Sequence, residues 1–309
     1  MNPPDPMVQL MERLAPVEGY NLSALDDIRF LRSNRPLTRT PVLYDPGIVI
    51  LCQGRKRGYL GDDLYVYDAQ HYLVVSVPVP FTMETDASPE EPMLAVYMRL
   101  DLQMASELML QVDAALGPSQ AQPRGMYASP MDEPLRASLL RFLQAMTEPA
   151  EAQVLGPALV REIYYRILTG EQGGTLRAAL VDRQGHFGKV SRAIRKIHSS
   201  YQQRLDVEAL AQEASMSVPS FHLHFRGVTD TSPMQYLKST RLHQARLLML
   251  RNDISAATAA FNVGYESASQ FSREFKRFFG RTPLAEIQWM KATYALPAPA
   301  TPSIYVSSH

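Results

Sequence analysis

The sequence is poor in the residue types that most enzyme chemistries require. One cysteine, Cys52, stands among 309 residues. No disulfide framework can form within the chain, and a reducing, cytoplasmic setting is the expectation. Of seven histidines, only His71 precedes residue 186, so a His-rich metal site is unavailable in the first 185 residues. A DNA-repair methyl acceptor needs several metal-clustered and nucleophilic cysteines, which are missing too. There is no G-x-S-x-G, P-loop or dinucleotide fingerprint. No apolar run reaches the ~20 residues of a membrane helix, and MNPPDPMVQL lacks the pattern of a signal peptide. We therefore expect no catalytic residue, no metal, no cofactor and no membrane contact.

Net charge is also missing, at zero overall, but its distribution is uneven. Residues 186–291 carry 15 Lys and Arg against 8 Asp and Glu, leaving 16 against 23 in the rest. A basic C-terminal third on an acidic body suits a module that binds a polyanion.

What is present is a repeat. LDVEALAQEASMSVPSFHLHFRGVTDTSP begins at Leu205, and ISAATAAFNVGYESASQFSREFKRFFGRTP begins at Ile254. Leu205, Leu210 and Ala211 match Ile254, Ala259 and Ala260 at an offset of 49. Phe221, Phe225 and Pro233 match Phe271, Phe275 and Pro283 at an offset of 50. One extra residue thus sits in the second turn, where a loop absorbs it cheaply.

Each copy reads as helix–turn–helix. In the first, Asp206 is an N-cap candidate and Met216–Ser217 the turn. Val218, Phe221, Phe225 and Val228 then share one face of the second helix. Opposite lie Pro219, Ser220, Leu223 and Arg226, with His222 on the flank. In the second copy Ala268, Phe271, Phe275 and Phe278 point inward. Ser269, Gln270, Arg273, Lys276 and Arg277 point outward. Such a helix can lie in a major groove. Arg pairs with guanine and Gln with adenine through two hydrogen bonds each, while Lys276 and Arg277 suit phosphate oxygens. YLKSTRLHQARLLML joins the copies as one helix and fixes their spacing; successive grooves on one DNA face lie about 34 Å apart.

Upstream the texture differs. A Pro-rich, flexible start leads into a loosely docked helix at Val8–Leu14. Between Ile28 and Asp101 come short runs, IRFLR, PVLY, GIVILCQ, GYLG, LYVYD, YLVVSV, FTMETD and LAVYMRL, which predict a β-sandwich or barrel. GIVILCQ is apolar on both faces and reads as a central strand. Leu135, Leu139, Phe142, Leu143 and Met146 then form a helical stripe, as do Leu155, Leu159, Ile163 and Ile167. Each stripe must bury within the subunit or against a second copy. TGEQGG at 169–174 reads as a linker, and the Pro/Ala/Ser-rich end as a flexible tail.

ALAQEASMS, FHLHFRGVT, SPMQYLKSTRLHQARLLM and FNVGYESASQFSREFKRFFGRTP together resemble the AraC/XylS family of bacterial transcription regulators. The segment from LRSNRP through ASPEEP, with its QGRK turn at Gln53–Lys56, resembles the cupin-like effector domain of a YqhC-like subgroup that regulates aldehyde reductase genes. The resemblance implies an α+β protein in which a cupin-like β-barrel with a helical dimerisation segment precedes an all-α domain of two helix-turn-helix units. On that basis residues 1–170 form the effector domain, 171–189 the linker, 190–291 the DNA-binding domain and 292–309 the tail. The two helix-turn-helix units fall at about 206–228 and 255–278.

The implied protein is a one-component activator that binds double-stranded promoter DNA, a small organic effector or electrophile such as an aldehyde, and RNA polymerase; helix-on-helix pairing would permit a homodimer. Two positions depart from the family: Leu223 stands where Arg is usual, and Asp230 where Gly is usual. Base discrimination is therefore expected mainly from the second unit. Effector-site candidates are Cys52, His71, Tyr59 and Tyr67, with Tyr65, Tyr72 and Phe81 as further aromatic lining. Cys52 reads either as a sensor of electrophiles or as a small buried hydrophobe. The competing function is a cupin-type small-molecule-binding or metal-dependent enzyme with an accessory DNA-binding domain.

Overall fold

The computed structural model describes residues 5–182 and 185–293. Its first half is built on one ten-stranded antiparallel sheet curled into a half-barrel. The strands are β1 (Gly19–Leu22), β2 (Ile28–Ser33), β3 (Leu37–Tyr44), β4 (Gly47–Gln53), β5 (Arg55–Leu60), β6 (Asp63–Asp68), β7 (His71–Val75), β8 (Val79–Asp86), β9 (Met93–Arg99) and β10 (Met126–Pro130). They run in the order β1-β2-β9-β4-β7-β6-β5-β8-β3, with β10 added to β7. Each of the eight apolar runs of the sequence falls on a strand, with GYLG, YLVVSV and LAVYMRL overrunning theirs by one or two residues. β4 lies between β9 and β7 and is buried from Gly47 to Cys52, as a strand apolar on both faces must be.

Strand alternation divides the core in two. Ile48, Ile50 and Cys52 on β4, Val74 on β7 and Val96 and Met98 on β9 face outward into a helical layer. That layer comprises α1 (Pro6–Leu14), α2 (Leu102–Leu116), α3 (Glu133–Met146), α4 (Pro149–Val154), α5 (Gly156–Thr169) and α6 (Gly173–Val181). The stripes Leu135–Met146 and Ile163–Ile167 bury here, within one subunit. Leu155, by contrast, is exposed.

Two local expectations need correction. The N-terminal helix is firmly docked rather than loose: Met7 and Met11 are buried, and Asp5 both caps the helix and pairs with Arg136. The glycine pair of the expected linker, Gly173 and Gly174, is helical rather than loop: Gly173–Val181 forms α6 and buries Leu176 and Leu180. Two adjacent glycines lower helix propensity, but burial of that apolar face offsets the loss. Residues 1–4 of the expected flexible start, and the expected tail beyond 293, lie outside the described residues.

The inner face carries Leu51, Tyr67, Leu73, Val75, Phe81, Met83 and Ala95, and its core continues into the C-terminal helices. These are α7 (His186–Ser200), α8 (Val207–Glu213), α9 (Val218–Thr229), α10 (Pro233–Asn252), α11 (Ala256–Asn262), α12 (Ala268–Phe279) and α13 (Pro283–Thr293). α7 to α10 share a core with the barrel, whereas α11 to α13 close a separate one around Phe271, Phe275 and Phe279. No described helix is long and apolar enough to cross a membrane.

Candidate nucleic-acid interface

The repeat seen in the sequence is a repeat of structure. Asp206 caps α8 by accepting from the Ala209 amide at 2.8 Å, and Ser255 caps α11 by accepting from Thr258 at 3.1 Å. Each turn then closes on an equivalent bond, Met216 N to Ala211 O and Tyr265 N to Ala260 O, both 2.9 Å. Ser215 (φ 53°) and Gly264 (φ 88°) hold the same left-handed place. The offset of 49 therefore persists to Tyr265. Since Ser217 and Ser267 are the matching N-caps of α9 and α12, the inserted residue is Glu266.

Fully buried aromatics anchor both second helices: Phe221 and Phe225 in α9, Phe271 and Phe275 in α12. The ring centroids lie 5.3 and 5.4 Å apart within each pair, and burying each such ring contributes roughly 1.5–3 kcal/mol. The opposite faces are free. Pro219, His222, Leu223 and Arg226 are exposed on α9, with Ser220 half-buried. Ser269, Gln270, Arg273, Lys276 and Arg277 are exposed on α12. Among the described residues Arg226, Arg273, Lys276 and Arg277 form no ion pair. Four cations with no acidic partner, on two helices of matching construction, leave their charge available to a polyanion.

Some details escape the helical wheel. Gln270 donates to Glu274 at 3.3 Å, so its amide is already engaged. Glu274 also accepts from Tyr265 at 2.9 Å and from Lys238 of α10 at 3.1 Å. Partial burial works against its charge, but these three hydrogen bonds hold the carboxyl below its usual range. It thereby ties the second reading helix to the linking helix. A lone carboxylate within SREFKRF was the signal available in the sequence. On α9, His224 stacks on His186 with centroids 3.6 Å apart; desolvation first, then His186 and Lys189, lower its pKa.

α9 ends in left-handed Asp230 (φ 54°), where α12 ends in Gly280 (φ 81°). The Asp230 carboxylate lies over Gly61 in the β5–β6 turn, where any Cβ would overlap it. The Val228 carbonyl similarly approaches Gly125. The exit of the first reading helix therefore rests on the barrel rim.

The four effector-site candidates do not converge. Cys52 is buried in the outer-face core, where burial, aided by Asp5 and opposed by Arg136, pushes its thiol up to about 12. Tyr59 points away from the inner face and donates to Glu84 at 2.9 Å, with Arg39 stacked on its ring at 4.0 Å. His71 pairs with Asp68 at 3.1 Å. Tyr72 packs into the outer core. Only Tyr67 and Phe81, with the partly buried Tyr65, face the interior. Strand alternation explains the split: Tyr59 and Tyr67 belong to different pleats, a distinction that aromatic content alone ignores. Among the described residues, no group of three or more His, Cys, Asp or Glu could hold a metal ion.

A half-barrel joined to two helix-turn-helix units, each presenting an exposed polar face, is the architecture of a DNA-binding regulator with a second, non-DNA-binding domain. Residues 24–175 match the AraC-type transcriptional regulator N-terminus, and residues 210–286 match a helix-turn-helix domain. The chain belongs to the AraC family of transcription regulators.

Among curated relatives, the HTH-type transcriptional regulator AlkR of Acinetobacter baylyi is 33% identical over 95 residues, 31% of each chain. The RCS-specific HTH-type transcriptional activator RclR of Escherichia coli is 42% identical over 77 residues, 25% of this chain and 27% of that one. The match thus spans about a third or less of these relatives' length. The apo ToxT structure from Vibrio cholerae superposes with a TM-score of 0.55 at 13% identity, covering 88% of this chain and 99% of that one. Unsaturated fatty acid-bound ToxT gives 0.55 at 12% identity, covering 90% and 98%. At such identities the likeness is one of fold.

Proposed function

We propose that the protein is a one-component, sequence-specific DNA-binding activator whose half-barrel receives a small organic effector. The observation that carries this reading is the set of unpaired cations, Arg226, Arg273, Lys276 and Arg277, displayed on two aromatic-anchored helices of the same build. Residues 1–170 form the effector domain and 190–291 the DNA-binding domain, double-stranded promoter DNA being the partner. Activation is supported by the activators RclR and RhaS among the relatives, and implies contact with RNA polymerase. The fatty acid bound by ToxT supports a small-molecule role for the barrel. A YqhC-like response to aldehydes rests on the Gln53–Lys56 turn and the segment through ASPEEP, and pairing of two copies on the exposed residues of the helical layer, such as Leu110 and Val154.

Titrating the full chain onto a random-sequence DNA library across a salt series tests the reading. We expect enrichment of one motif and log K falling with log salt at about −0.9 per phosphate contact. Salt-insensitive or motif-free binding contradicts it.

A further inference from the structure

The inner face of the half-barrel holds a cation, Lys56, that pairs with no carboxylate among the described residues and meets the ring of Tyr44 at 5.8 Å. Lys56 on β5 is 3% exposed. Its flanking partners in the sheet are Tyr67 on β6 and Thr85 on β8, both buried on the same face. Among the described residues its one hydrogen-bond acceptor is the Tyr44 hydroxyl, at 3.1 Å. The nearest carboxylates of the adjoining strands belong to the opposite pleat and are engaged there, and Asp63, which shares the inner pleat, lies at the far end of β6 opposite Leu60 and accepts from Tyr65. Glu84 and Asp86 pair with Arg57, and Asp68 with Arg55. Tyr67 does not supply the missing charge: burial, with the Tyr44 hydroxyl beside it, pushes its phenol well above the ordinary value and keeps it protonated. The buried Tyr67 hydroxyl has the Tyr44 hydroxyl beside it and no other partner among the described residues.

An unbalanced ammonium in an apolar interior is costly to retain. The surrounding groups match one kind of anion. One positive charge and the Tyr67 hydroxyl offer donors to two oxygens, as a monocarboxylate requires. A dianionic phosphate would leave a negative charge uncompensated among Val42, Phe81 and Met83, which are buried on this face. Those apolar side chains would instead receive a hydrocarbon tail. Beside Lys56, Gly58 contributes no side chain, and the Phe81 ring covers it, 3.2 Å from where a Cβ would stand.

We propose that Lys56, Tyr44 and Tyr67 form the receiving site for an organic monocarboxylate within the barrel. The inference deepens the effector role proposed above and rests on it. Occupancy has a short route to the DNA-binding domain. Tyr44 is the register partner of Val79, and the preceding residue, Pro78, accepts a hydrogen bond from Tyr236 of α10.

The test is thermal melting of the full chain with straight-chain and aromatic monocarboxylates, each beside its primary amide, in wild type, Lys56→Met and Tyr44→Phe. At least one carboxylate should raise the wild-type Tm by about 3 °C or more. Its amide should not, and the rise should vanish in Lys56→Met and shrink in Tyr44→Phe. Without ligand, Lys56→Met should melt at or above wild type, since it removes an unbalanced buried charge. The site is overturned if no carboxylate stabilises wild type, if amide and acid act alike, or if Lys56→Met responds unchanged. It is overturned equally if Lys56→Met melts far below wild type or fails to fold while Tyr44→Phe keeps the full response, since Lys56 is then a structural prop. DNA binding without ligand is read separately, so loss of the carboxylate site leaves the regulator reading standing, and loss of DNA binding removes both.

Discussion

The hydroxyl of Tyr236, on the linking helix, donates a 2.8 Å hydrogen bond to the carbonyl of Pro78 at the entrance to barrel strand β8. Its proton being committed there, the 2.9 Å contact with His198 Nε2 must be one in which the imidazole donates. The Tyr236 ring also meets Phe225 of the first reading helix edge-on at 5.5 Å. One side chain therefore joins the barrel, α7, the linking helix and α9.

Tyr236→Phe removes both hydrogen bonds while keeping the ring. We expect a loss of about 1–3 kcal/mol, because two buried polar partners are left unsatisfied. Urea unfolding followed separately by barrel and C-terminal probes should then show the two parts parting company. Coincident, unshifted transitions would count against Tyr236 as the link.

The buried pair Arg246–Glu286, 3.2 Å apart and 2% and 1% exposed, holds α10 to α13. Glu286→Gln leaves the guanidinium buried without its counter-charge and should cost about 3–5 kcal/mol. Arg246→Met combined with Glu286→Leu should recover most of that loss in the same denaturation measurement.

Acid should destabilise the C-terminal domain early. Burial holds His198 down to about 3, and burial followed by Arg246 holds His243 well below its usual value. Both are neutral when folded, so above the unfolded value of about 6.5 they cost nothing. As pH falls below that value the unfolded chain takes up protons that the folded one refuses. Stability should therefore drop by up to about 1.4 kcal/mol per pH unit for each histidine. Melting between pH 7.5 and 5 tests this, and His198→Gln should have the shallower slope.

On DNA, Arg273→Ala should relax discrimination at one base pair at a cost of about 1–3 kcal/mol. Lys276→Ala should instead weaken all sequences alike and reduce the salt slope by about 0.9. Competition binding with single-base variants across salt separates the two outcomes.

Cys52 should be silent in the folded protein. With its thiol pushed up to about 12 inside the outer core, the thiolate that reacts with electrophiles is scarce. Labelling by a maleimide should proceed only at the rate of unfolding, and Cys52→Ser should respond to aldehydes as wild type does. Rapid labelling of native protein would reinstate the thiol as a sensor.

Much of this molecule was legible in one dimension because its signals are periodic. The phenylalanines at 221, 225, 271 and 275 specify which face of each reading helix is buried, and burial leaves the polar face outside. The eight alternating runs likewise specify strands. The effector side was not legible in the same way. Tyr59 and Tyr67 look alike in the sequence, yet the pleat turns one out to Glu84 and the other inward beside Tyr44. Lys56 looked like part of a turn motif and is a buried cation.

The sequence by itself determined the two helix-turn-helix units and the family, because local periodicity and capping chemistry suffice to define a helix and its exposed face. Only the tertiary structure decided what meets across the chain. Asp230 covers Gly61, Tyr236 reaches Pro78, Glu274 holds Lys238, and Lys56 meets no carboxylate among the described residues. Such contacts depend on strand register and domain packing, which join residues as far apart as 158 positions in the chain. No local pattern encodes them.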